Sequence, residues 1–258
     1  MQLTNDADQA LCFTERFYRG DVIYRTGVKN ISDIRDPDVG GMPKFNNEIR
    51  SIRVSPFRVK VKYHFMWDDA DLPGPHSGLA GIGALVTQIK DMHAEVSQIW
   101  SKYLIQLEMD PIIGQYESEK YFELDIGRAD ELTKLRGDSP FRLSNACVNV
   151  VLVESIIKDA ARGAIGVATR GALDVPVAVA EVKAPTNVFE NARTIAHEIG
   201  HLFGLSHGAN ERGRRLMTQT GAIDGDREEA VRLSQNEVEI VHRTLAANDT
   251  SRSLLRIE

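Results

Sequence analysis

The sequence predicts an α+β fold in two parts, a small all-β unit over residues 1–55 and a larger mixed domain over residues 56–258. Three observations carry this. Phe57, Val59, Val61, Tyr63, Phe65 and Trp67 alternate with Arg58, Lys60, Lys62 and His64. Period two over that length predicts a half-buried strand. Apolar residues then recur at three- and four-residue steps from Leu79 to Tyr103, which predicts a long amphipathic helix over 78–103. Finally, Cys147 to Val153 is almost unbroken apolar and β-branched sequence, which suits a strand covered on both faces.

The remaining elements follow in order. Over residues 1–56, short apolar stretches (Leu11 to Phe13, Val22 to Tyr24, Ile49 to Val54) alternate with Gly20, Asn30, Pro37, Gly40, Gly41 and Pro43. Such punctuation predicts short strands. After the long helix, Ile105, Leu107 and Met109 alternate with Gln106 and Glu108, predicting a strand over 104–109 that Pro111 ends. Residues 110–145 are polar and read as a long connection. Gly163 to Thr169 and Val175 to Val182 are two further candidate strands. A helix follows, with Asn187 as N-cap and Glu190 three residues on. The last helix starts near Ser234 with Glu237 in a capping-box pattern, and Val238, Val241 and Leu245 mark its buried side.

Composition bounds the function. A chain of 258 residues can hold a full core. Its 42% hydrophobic and 26% charged residues exclude collagen-like, coiled-coil and wholly disordered classes. The formal net charge is −6 and the arginines are scattered, so no nucleic acid is expected as a partner. No apolar stretch reaches the roughly 18–20 residues that span a bilayer, so no membrane is expected either. The start MQLTNDADQALCF lacks a basic region followed by an apolar one. The expected location is therefore the cytoplasm, or outside the cell by a leaderless route. Cys12 and Cys147 cannot build a disulfide framework.

The chemistry lies in Thr194 to His207, which reads TIAHEIGHLFGLSH. On a helix, His197 and His201 stand at i and i+4, one turn apart on one face. Two imidazoles so placed reach one cation at about 2.0–2.1 Å. Glu198 sits beside the first ligand but off the metal line, suited to hold a water without binding the metal. Gly204 can take a positive φ, end the helix and return the chain so that His207 reaches the same ion. Three neutral nitrogens leave one position open, the mark of a catalytic zinc site.

Downstream, Leu216-Met217-Thr218 stands in a turn-prone stretch between Gly213 and Gly221. HExxHxxGxxH followed by such a methionine resembles the metzincin clan of zinc endopeptidases. The resemblance covers about residues 56–250, because the predicted elements follow the order of a metzincin catalytic domain. It implies a twisted, mostly parallel sheet with an antiparallel edge strand, a long backing helix, an active-site helix, a Met-turn and a C-terminal helix. It also implies Met217 as an apolar floor beneath the metal. The position two residues after the methionine is Gln219, not the Tyr of astacins and serralysins, and no cysteine cluster follows His207 as in archaemetzincins. The pattern therefore looks more like the matrixin or pappalysin side of the clan.

The implied activity is a zinc-dependent endopeptidase with one catalytic ion, the metal activating a water and Glu198 acting as general base. The implied partner is a protein or peptide bound as an extended strand along the edge strand. Gly166, Val167 and Ala168 are its candidate contacts. Thr218, Gln219 and Thr220 are candidates for the pocket wall beyond the scissile bond. The alternatives are a narrow-specificity regulatory or toxin-like effector protease acting on one protein, and a zinc-binding interaction module without catalysis.

Residues 9–55 resemble one Greek-key motif of the βγ-crystallin type, with Phe13, Tyr18 and Gly20 early and Phe45 to Val54 late. Asn46, Asn47 and Ser51 match that family's calcium signature, but Arg50 takes the place of a hydroxyl ligand, so calcium is not expected. Cys12 could act as a latency ligand on zinc; a small buried apolar residue is the plainer reading. Cys147 reads as core. Asp68, Asp69 and Asp71 read as a solvated acidic loop. His64, His76, His93 and His242 read as structural or surface residues.

Overall fold

The computed structural model describes residues 9–13, 22–26, 51–53, 56–67, 78–117, 123–125, 143–144, 146–153, 155–158, 161–162, 166–170, 175–181, 188–207, 215–218 and 227–251. Asp68, Asp69, Asp71, His76, Asn187, Gln219, Thr220 and the Asn46-Asn47 pair lie outside these residues.

The period-two segment forms β4 (Phe57–Trp67), with the bounds its alternation predicts. It is the hub of the main sheet. To its one side lie β8 (Val148–Val153), β12 (Pro176–Glu181) and β11 (Gly166–Arg170); to the other lies β5 (Ile105–Met109), giving the order β11-β12-β8-β4-β5. A further strand, β6 (Gly114–Glu117), pairs with the far end of β4. All these pairings are parallel except β11 with β12, which is antiparallel and sets Gly166 opposite Ala180.

The inward residues of β4, Phe57, Val59, Val61, Tyr63 and Phe65, are buried against α1 (Gly78–Ser101), which supplies Ile89, Met92, Val96, Ile99 and Trp100 to the same core. The burial of β8 is complete along its length, as expected of a central parallel strand. Behind the sheet, α2 (Val188–Leu202) packs on α1, β11 and β12. A single turn, α3 (Arg227–Ala230), precedes α4 (Gln235–Ser251). The Ser234 capping box forms in full: the Ser234 backbone N–H donates to Glu237 Oε2 at 2.7 Å, and the Glu237 N–H donates to Ser234 Oγ at 3.3 Å.

Two differences from the sequence reading have local causes. The long helix stops at Ser101, and the next strand begins at Ile105, because Leu104 takes a left-handed φ of 57° between them. The connection over 110–145 carries β6 and β7 (Glu123–Asp125). The latter joins β9 (Ser155–Lys158) and β10 (Ala161–Arg162) in a small second sheet of order β10-β9-β7. These strands are too short to show a period.

In the N-terminal region, β1 (Gln9–Phe13) and β2 (Val22–Thr26) overlap the expected apolar stretches and run two residues beyond them, and β3 (Ser51–Arg53) falls within the third. They form an antiparallel sheet of order β2-β1-β3. β2 lies against α4.

On the face of β4 opposite the main core, His64 and Asn149 are both buried. Asn149 ties three segments together. Its Nδ2 donates to the carbonyls of Ser144 at 2.7 Å, Pro176 at 3.1 Å and Cys147 at 3.3 Å. Its Oδ1 accepts from the Ser144 N–H at 3.1 Å and faces His64 Nε2 at 3.3 Å. Burial holds His64 down to about 4; Lys62 acts in the same direction, while the Asn149 contact and Asp110 oppose it. Cys147 is a free buried thiol, as its strand predicts. His93 meets the hydroxyl of Tyr63 at 3.1 Å and is a satisfied structural histidine.

Candidate metal centre

The helix α2 carries His197 and His201 on successive turns, and its C-terminus is built to deliver the third histidine. The Leu205 N–H donates to the Gly200 carbonyl and the Gly204 N–H to the His201 carbonyl, both at 3.0 Å. That pair of bonds is a Schellman motif. It requires a left-handed residue at Gly204, whose φ is +94°. The chain reverses there, and His207 comes back beside the helix.

The three Nε2 atoms converge. They stand 3.0 Å apart between His197 and His201, and 3.1 Å from each of these to His207. Among the described residues this is the one group of three or more such side chains that could hold a metal ion. The tautomers of two are set by the backbone. His197 Nδ1 lies 2.6 Å from the Leu216 carbonyl and His201 Nδ1 lies 2.8 Å from the Leu205 carbonyl. A carbonyl only accepts, so each Nδ1 carries the proton and each Nε2 presents a lone pair.

Two lone pairs facing each other at 3.0 Å repel unless a cation lies between them. Tetrahedral ligands at about 2.0–2.1 Å from zinc stand about 3.3 Å from one another. The observed triangle fits that requirement to within a few tenths of an ångström. Burial, the main cause, and the other two histidines hold His197 down to about 4, and burial lowers His207 as well, so both are neutral and ready to coordinate near pH 7.

Glu198 is only 5% exposed. Burial pushes its carboxyl up to about 8, near the range in which a group both takes and returns a proton. It packs against β11: a Cβ added at Gly166 would lie 2.4 Å from Glu198 Oε1.

The Arg215–Thr218 turn closes the site from the other side. Met217 is buried, with its sulfur against Gly200; a Cβ there would lie 2.6 Å from that sulfur. Thr218 is the one described member of the expected pocket wall. It is buried, and its hydroxyl donates to the Arg215 carbonyl.

Of the other expected substrate contacts, Gly166, Val167 and Ala168 lie on β11, the edge strand, and all three are half-buried. Among the described strands, β11 pairs only with β12.

Arg193 was not singled out by sequence reasoning. It is buried one turn before His197, donating from Nε to the Ala230 carbonyl at 3.0 Å and from Nη2 to the Arg215 carbonyl at 3.2 Å. Leu216, next to Arg215, orients His197, so Arg193 braces the support of a candidate metal ligand. The available signal was an arginine four residues before the first ligand, on the same helix face.

No helix among the described residues is long and apolar enough to cross a membrane. A search of curated proteins finds no match to the chain. Residues 86–208, a little under half of the chain, match the family model of reprolysin-like metallopeptidases of family M12B. The match gives no support to the matrixin or pappalysin side, or to the Greek-key resemblance. It does span Glu198 and all three histidines, and together with their triangle it supports a zinc-dependent metallopeptidase.

Proposed function

We propose that the chain is a zinc endopeptidase that cleaves proteins or peptides bound in extended form. The observation that carries this is the triangle of three converging Nε2 atoms with the Glu198 carboxyl next to it in sequence and an edge strand packed on that carboxyl. His197, His201 and His207 would hold one zinc ion. The bound ion would acidify a water and polarise the scissile carbonyl.

The chain's own residues account for the rest. Glu198 takes the proton of the attacking water and returns it to the leaving amine. The carbonyls of Leu216 and Leu205 keep His197 and His201 in the tautomers that coordinate. Met217 supplies an apolar floor. Along Gly166, Val167 and Ala168 the outer edge of β11 would offer the N–H and C=O groups of alternate residues to an extended substrate. Thr218, Gln219 and Thr220 would form the wall of the pocket beyond the scissile bond. On this reading residues 56–258 form the catalytic domain and residues 1–55 a separate β unit. In support, β1, β2 and β3 pair only with one another among the described strands.

The test is a survey of new N-termini. Wild type and Glu198→Ala, each with and without a chelator, are incubated with a complex protein mixture. The expected result is new termini from the wild type alone, suppressed by the chelator. Cleavage of a single protein would point to a dedicated regulatory or effector protease. Zinc bound at one ion per chain with no new termini in any mixture would overturn the peptidase reading in favour of a binding module.

A further inference from the structure

We propose that Gly166 is a positioning residue for Glu198: its bare backbone is the wall against which the carboxylate is located beside the metal ligands. This rests on the reading of Glu198 as general base.

The contact is close along the outer half of the glutamate. A Cβ added at Gly166 would stand 2.4 Å from Oε1, 2.7 Å from Cγ and 2.8 Å from Cδ of Glu198. Carbon and oxygen atoms in ordinary contact are roughly 3.4–4.0 Å apart. Any side chain at 166 therefore displaces the glutamate. The displacement is not absorbed by a swing of the carboxylate alone, because Cγ is met as well. Glu198 is also buried, on a helix packed against this strand.

Nor does the strand retreat easily. β11 is pinned in register to β12 through Gly166 opposite Ala180 and Val167 opposite Val179. Backbone strain is not the reason for the glycine: positive φ among the described glycines occurs only at Gly204. Alanine suits the backbone at 166 and fails on contact with Glu198. The added Cβ at Gly200 would meet a thioether and that at Gly204 a threonine hydroxyl, whereas that at Gly166 would meet an ionisable group.

General-base catalysis depends on place. A shift of about 1 Å in a catalytic group costs on the order of a hundredfold in rate. The three atoms nearest the added Cβ all belong to Glu198, so metal binding and turnover should separate.

The experiment uses the zinc-loaded full chain as wild type, Gly166→Ala, Glu198→Ala and the double variant. Zinc affinity, thermal stability, and kcat and KM on a peptide found in the survey are measured, with rates expressed per bound zinc. Gly166→Ala is expected to bind zinc within about threefold of wild type and to lose about tenfold or more in kcat with KM little changed. The loss of Tm caused by Gly166→Ala should vanish in the Glu198→Ala background, where the clashing side chain is gone. An unchanged kcat, or an equal loss of Tm in both backgrounds, would overturn the proposal. A wild type that binds zinc and cleaves nothing would defeat the peptidase reading instead, and the Tm cycle would still decide whether Gly166 places Glu198.

Discussion

The sulfur of Met217 lies 2.6 Å from the ideal position of a Cβ at residue 200, inside contact distance. Gly200 directly precedes His201, so the absence of a side chain there is what lets the turn settle against this helix. Gly200→Ala is expected to destabilise the protein by about 1–3 kcal/mol through overpacking. Met217→Ala should remove most of that added cost in the double variant. Chemical denaturation of the four proteins in a double-mutant cycle checks this; strictly additive losses would contradict the contact.

Gly204→Ala should act through the backbone. The left-handed φ of +94° costs a non-glycine residue roughly 1–2 kcal/mol, and the new Cβ would meet Thr244 Oγ1 at 2.9 Å. Both effects loosen the reversal that returns His207. The expected outcome is lower stability together with weaker zinc binding, read by calorimetric titration. Gly204→Asn should relieve the backbone part only, because asparagine tolerates this conformation but still brings a Cβ against Thr244.

Metal binding should register as stability. Zinc at about 100 times its Kd adds about 2.7 kcal/mol to a fold that binds it only when native. His207→Ala should abolish the Tm gain on adding zinc. Glu198→Gln should keep the gain while losing about 10²–10⁴-fold in turnover. A Glu198→Gln variant without the gain would make the glutamate a ligand.

His64 makes a pH prediction. Its folded pKa of about 4 lies below the unfolded value of about 6.5, so the unfolded chain binds more protons between these limits. Its share of stability is intact above pH 6.5 and is lost as pH falls towards 4. The loss is on the order of 3 kcal/mol. Metal-free wild type and His64→Gln, compared by denaturation at pH 7 and pH 4.5, should differ in slope, with the variant flatter. Parallel slopes would mean that His64 does not titrate as its burial requires.

Much of this was legible because it is periodic or local. The alternation from Phe57 to Trp67 gave β4 its bounds, and i, i+4 spacing placed His197 and His201 on one face. Ser234 and Glu237 announced a cap that forms between near neighbours. What stayed hidden depends on distant pairs. Gly166 meets Glu198 only once β11 and α2 are docked, and no pattern in either segment encodes that contact. Asn149 looks like a blemish in an apolar strand until the Ser144 and Pro176 carbonyls are seen around it. Arg193 reads as an ordinary helix cation until it is found buried.

The Arg193 clamp has a dynamic consequence. One guanidinium joins α2 to the Arg215–Thr218 turn and to the end of α3. If the turn swung away, a buried cation would lose a carbonyl partner, at a cost of about 1.5–3 kcal/mol. The turn is therefore locked to the core. Its amides at Leu216 and Thr218, bonded to the carbonyls of Arg232 and Arg215, should exchange with solvent as slowly as those of the helix behind them. The floor of the site thus opens only when the whole domain does.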